Sequence, residues 1–155
     1  MNTIPTTSEA ATYTVVGGSG NQAQDGRGVS LILLNRGGSV SRADALEDFA
    51  KLHPDEIISL ENSGNTWAIE SLAAQFPRVR FILLGDSASP GECINIGMRE
   101  AKGRLAVVFW TDMKATPAGF PESSVRALAE NPPLCTMPWF YNRDNESMPV
   151  LQTPA

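Results

Sequence analysis

Four short apolar runs, Val29 to Leu34, Glu56 to Leu60, Val79 to Leu84 and Arg104 to Phe109, recur along the chain about 25 residues apart. Each is about six residues long and almost continuously apolar, the pattern of a strand buried on both faces. Helical periodicity fills the intervals. In the first, Leu46, Phe49 and Ala50 share a face behind a Ser41-x-x-Asp44 capping box. In the second, Ile69, Leu72, Ala73 and Phe76 fall at i, i+3, i+4 and i+7, and Pro77 ends the helix. The third opens with Ser89-Pro90-Gly91-Glu92, which joins an N-cap serine, a first-turn proline and a capping glutamate. It continues with Ile94, Gly97, Met98 and Ala101 as its apolar stripe and closes at Gly103.

Strand and helix alternating at this spacing predict βαβ units, hence an α/β fold of three layers (α/β/α) around a mostly parallel, Rossmann-like sheet. A fourth helix is expected after Pro121 through Val125, Leu128 and Ala129, and a last strand from Leu134 to Tyr141. The predicted organisation is a flexible tail over residues 1–28, one domain over 29–141 and a C-terminal turn or tail over 142–155. Within the first segment only Tyr13-Thr14-Val15-Val16 has the character of a short edge strand. Gly17-Gly18-Ser19-Gly20-Asn21 reads as linker, because neither a helix nor a Lys-Ser/Thr pair follows it.

A chain of 155 residues suffices for one domain with a core. Its 12 basic and 17 acidic residues give a charge of −5 with no clustered basic face, which argues against nucleic acid as a partner. No apolar run is long enough to span a bilayer and no charged-then-apolar leader opens the chain, so a cytoplasmic protein without a transmembrane segment is expected. Cys93 and Cys135 lie far apart in apolar settings; two buried free thiols are expected, a disulfide being the alternative, and neither belongs to a zinc-type cluster.

Ligands of open parallel sheets bind beyond the carboxyl ends of the strands. Those ends deliver Asn35, Arg36, Gly37 and Gly38, then Glu61-Asn62-Ser63-Gly64, then Gly85-Asp86-Ser87, and finally Trp110-Thr111-Asp112. Each switches abruptly from apolar to polar. Neither a GxGxxG nor a GxxxxGK[ST] loop is present, which excludes the usual dinucleotide and triphosphate cradles. The single histidine, His53, precedes Pro54-Asp55 at a helix-to-strand turn on the opposite edge.

At these strand ends the chain resembles the donor-binding half of a family 2 glycosyltransferase. Val29-Ser30-Leu31-Ile32-Leu33-Leu34-Asn35-Arg36 is similar to that family's opening strand and Pro-Thr-x-Asn-Arg segment, shortened here to Leu-Asn-Arg. Glu56-Ile57-Ile58-Ser59-Leu60-Glu61-Asn62-Ser63-Gly64 resembles its Glu-Ile-Ile-Val-Val-Asp-Asp-Gly-Ser stretch. Asn95-x-Gly97 with Ala101-x-Gly103 resembles the helix before the metal-binding strand, and Trp110-Thr111-Asp112 with Pro117 stands where the family has Asp-x-Asp and its following proline. The order and spacing agree over roughly residues 29 to 130.

The resemblance implies a GT-A (nucleotide-diphospho-sugar transferase) fold, truncated, that binds a nucleotide-sugar donor and passes the sugar to an acceptor. It implies a divalent cation, Mn or Mg, on Asp112 to offset the diphosphate charge. Glu61 corresponds to the acid that accepts from a base N–H, and Asn35, Asn62, Asp86 and Thr111 stand at nucleotide-contacting positions. Trp110 replaces the first acid of the metal motif. The family's general base comes from a C-terminal half; Asp144 and Glu146 are the only late carboxylates here, in what reads as a solvated turn, so no catalytic residue is assigned. Two alternatives stay open: a non-catalytic GT-A-fold binding module, and a nucleotidyltransferase of related fold. For the latter, Gly37-Gly38-Ser39-Val40-Ser41-Arg42 resembles a phosphate-wrapping loop and Thr111-Asp112-Met113 a metal site. An exposed sheet edge in a shortened fold predicts a homodimer or a partner subunit.

Overall fold

A computed structural model describes residues 12–19, 28–35, 41–62, 66–85 and 88–113. In chain order they form β1 (Thr14–Gly17), β2 (Val29–Leu34), α1 (Arg42–Ala50), β3 (Glu56–Glu61), α2 (Thr66–Gln75), β4 (Val79–Leu83), α3 (Pro90–Glu100) and β5 (Leu105–Trp110). The expected helix after Pro121, the strand at Leu134–Tyr141, Cys135, Asp86 and the 142–155 segment lie outside the described residues.

The architecture is α/β. One sheet has the order β1-β4-β3-β2-β5; β4, β3, β2 and β5 run parallel, and β1 joins β4 antiparallel. This five-stranded, mostly parallel sheet with three helices is compatible with a Rossmann-like fold. Part of the 1–28 segment is therefore an ordered edge strand, Thr14 pairing with Leu83 and Gly17 with Arg80.

Alternation along each strand sends side chains to opposite faces. Leu31, Leu33, Ile57 and Phe81 pack with Leu46 and Phe49 of α1 and Ile69 of α2. Ile32, Leu34, Ile58, Leu60 and Ile82 pack with Cys93 and Ile96 of α3. Two successive crossovers carry the chain from β2 to β4 with α1 and α2 packed on one face. The third reverses direction, so α3 covers the other face and β5 lands beside β2.

The helix termini divide cleanly. At α3, Ser89 Oγ accepts from Glu92 N (3.3 Å) and Glu92 Oε2 accepts from Ser89 N (2.7 Å), completing the expected capping box. At α1 the expected box does not form: Ser41 is the N-cap but its side chain makes no capping bond. The motif requires Glu or Gln to reach back, and Asp44 is one methylene too short. The α3 stripe is also rotated from the expected one. Cys93, Ile96 and Gly97 are its buried residues, whereas Met98 is 51% exposed. Cys93 is a free, buried thiol, as expected.

Gly97 sets how closely α3 approaches the sheet. A Cβ there would lie 2.7 Å from Ile32 Cγ2 and 3.0 Å from Leu60 Cδ1. Gly97→Val is expected to lower stability by about 1–3 kcal/mol through overpacking. Gly97→Ala should cost less, since helix propensity returns about 1 kcal/mol. Urea denaturation with an unchanged m value checks both.

Candidate functional site

The strand order reverses between β2 and β5, the point beyond whose carboxyl ends ligands of open parallel sheets bind. Leu34 and Trp110 are register partners at that point. Thr111 N donates to Leu34 O at 2.9 Å, and Met113 N to Trp110 O at 3.0 Å, so the chain turns sharply as it leaves β5. Asn35 thereby stands over the end of β2 beside Thr111 and Asp112, with Glu61 and Asn62 at the end of the neighbouring β3. Five of the six residues singled out in the sequence thus gather on one edge. Asp86, the sixth, lies outside the described residues.

Their exposure differs in a way that bears on chemistry. Asn35, Asn62 and Asp112 are half-buried, Thr111 is buried, and Glu61 is wholly buried. Glu61 lies on the α1 side, where Oε1 accepts from Ser59 Oγ at 2.7 Å and Oε2 lies 2.9 Å from Arg42 Nη2. The ion pair is close but misaligned, because neither Glu61 Oε2 nor Arg42 Nη1 has a hydrogen-bond partner among the described residues. Burial raises the Glu61 carboxyl above its ordinary range, more than Arg42 and Ser59 lower it. Burial likewise lowers the Arg42 guanidinium, against the pull of Glu61. An approaching base meets no surface of Glu61 unless this pair opens.

On the α3 side, Leu34, Asn35, Leu60, Asn62, Pro90, Cys93 and Trp110 line a depression of about 20 Å³. A roomier cleft, about 360 Å³, lies at the opposite edge, where His53, Asp55, Gln75 and Arg78 ring the amino ends of β3 and β4. Size favours that cleft, yet it is remote from the crossover and from every strand-end residue. His53 is exposed at its lip with φ +51, a turn residue as the sequence predicts. The strand-end edge is the candidate site because topology and polar residues coincide there.

For a cation, the described residues supply little. Among them no group of three or more His, Cys, Asp or Glu side chains could hold a metal. They do not fit a resident metal centre. Asp112 could contribute one carboxylate to a Mn or Mg ion that arrives with phosphate oxygens.

Sequence reasoning placed Trp110 at this edge but missed Cys93 as part of it and Arg42 as the partner of Glu61. A signal for Arg42 existed: a basic residue in the first turn of a helix opposes the macrodipole, so a specific acid must hold it. Comparisons with known protein families, with curated proteins and with solved structures find no match for this chain.

Proposed function

We propose that the chain is a glycosyltransferase-like protein of GT-A type that binds a nucleotide-diphospho-sugar at the carboxyl ends of β2, β3 and β5. The observation that carries this is the crossover. The return of β5 beside β2, tied by Thr111 N to Leu34 O at 2.9 Å, sets Asn35 against Thr111 and Asp112. The carboxamides of Asn35 and Asn62 can both donate and accept, as ribose hydroxyls and base edges require. A divalent cation, when bound with the diphosphate, supplies the charge compensation that departure of the nucleotide needs. Asp112 is the side chain proposed to orient it.

A second reading keeps binding without transfer. It is favoured by Trp110, which occupies the strand-end position where the resemblance expects an acid and can offer no carboxylate.

Calorimetric titration with UDP-, GDP- and dTDP-sugars, with and without manganese, tests the proposal. One donor should bind, manganese should tighten it, and Asp112→Ala should remove the manganese-dependent part, by roughly tenfold or more. Release of nucleoside diphosphate on incubation with acceptors separates transfer from binding alone. Binding to none of the donors overturns the proposal. Tight binding of a nucleoside triphosphate with pyrophosphate release favours a nucleotidyltransferase instead.

A further inference from the structure

The depression on the α3 side has a composition that phosphate binding does not explain. Its apolar members are nearly closed to solvent: Leu34 and Leu60 are each 2% exposed and Cys93 is 5% exposed. Trp110 stands beside them on β5, in register with Leu34, and Pro90 and the half-buried Asn35 and Asn62 also line it. Among the described residues, no charged side chain lines this depression. Neutral carboxamides beside an indole suit a flat, neutral ring with donors and acceptors on its edge.

We infer that this depression is the nucleobase seat of the site, with Trp110 as the stacking surface and Asn35 and Asn62 reading the ring edge. The inference rests on the proposed binding of a nucleoside diphosphate at the strand ends. A volume of about 20 Å³ is water-sized, enough for an exocyclic oxygen or amino group and too small for a ring. The ring therefore lies across the mouth and sends one substituent in. The assignment also gives Trp110 a role at a position where an acid is expected. Glu61, the acid that the family resemblance would use for the base, is buried on the opposite face and paired with Arg42.

The test compares the affinities of UDP, GDP, dTDP, CDP and ADP with that of inorganic pyrophosphate, for wild type, Trp110→Phe, Trp110→Leu and Trp67→Leu. Trp67, 79% exposed on α2, is the control. At least one nucleoside diphosphate should bind more tightly than pyrophosphate. Trp110→Leu should weaken it roughly five- to hundredfold, the range of one base–aromatic stack, while leaving pyrophosphate unchanged. Trp110→Phe should lose much less, and Trp67→Leu nothing. Unchanged nucleotide affinity in Trp110→Leu overturns the seat and leaves donor binding standing. Should Trp110→Leu fail to fold by circular dichroism, wild type decides: pyrophosphate binding as tightly as every diphosphate overturns the seat. If none of these probes binds wild type, the seat and the donor-binding proposal fall together.

Discussion

Glu56→Ala is expected to lower the unfolding free energy by about 3–5 kcal/mol, the cost of removing one partner from a buried charge pair. Glu56 opens β3 and is 2% exposed. Its Oε2 accepts from Ser30 Oγ at 2.7 Å and from Lys102 N at 2.9 Å, and its Oε1 lies 3.4 Å from Arg80 Nε. Ser30 Oγ in turn accepts from Gly103 N at 2.8 Å. Arg80 Nη2 donates to the Glu100 carbonyl at 2.6 Å, and the Tyr13 hydroxyl donates to the Glu100 carboxylate. One carboxylate therefore ties the starts of two strands to the turn between α3 and β5. Alanine would leave the Arg80 guanidinium without this counter-charge, and a hydroxyl and a backbone N–H short of an acceptor, at a largely buried position. Ser30→Ala removes one hydrogen-bonding group and should cost about 1 kcal/mol. The contrast decides between a network and a set of separate contacts. Urea denaturation at neutral pH measures it, with m unchanged. A loss below about 1 kcal/mol for Glu56→Ala would mean that water replaces the missing oxygen. Because Lys102 and Gly103 launch the strand that ends in Trp110, this network also fixes the height of the candidate site from the far edge of the sheet.

How far the sequence discloses such features depends on what kind of signal each one leaves. β2, β3 and β4 were legible because burial on both faces leaves no polar alternation, and their observed ends fall within a residue of the apolar runs. The start of α3 was legible because Ser89, Pro90 and Glu92 are local chemistry, complete within one turn. Its buried face was not. Cys93, Ile96 and Gly97 compete with Ile94, Gly97 and Met98 at the same spacing, and only the sheet beneath chooses between them. The polar rim could be read from where each apolar run stops. The order β1-β4-β3-β2-β5, and so the meeting of Asn35 with Thr111, could not, because strand order is set by crossovers between distant segments. Glu56, Arg80 and Arg42 carry their signals as anomalies. Two charges sit within apolar strands and a third in the wrong half of a helix, and each implies a buried partner without naming it.

Arg42→Met is the second large effect expected, about 3–5 kcal/mol at neutral pH, because it strands the Glu61 carboxylate at a wholly buried position. The pair itself is not a large source of stability. Its geometry leaves Arg42 Nη1 and Glu61 Oε2 without hydrogen-bond partners among the described residues, and burial outweighs mutual attraction for both groups. The double variant Arg42→Met, Glu61→Met should therefore recover most of the loss, as apolar replacement of buried pairs often does. The pH dependence supplies an independent sign. Glu61 is raised above 4.5 in the folded protein, and losing Arg42 removes the main influence that lowers it. Between that raised value and about 4.5, the native state holds more protons than the unfolded chain, so stability rises as pH falls. The Arg42→Met deficit should be largest above the folded value, shrink on acidification and level off below about 4.5. The double variant, lacking the carboxyl, should show no such trend relative to wild type beyond the loss of wild type's own Glu61 titration. Denaturation curves at several pH values for the three proteins give the comparison. A deficit that does not vary with pH, together with a double variant no more stable than Arg42→Met, would mean that Arg42 acts through its packing and not as the counter-charge of Glu61.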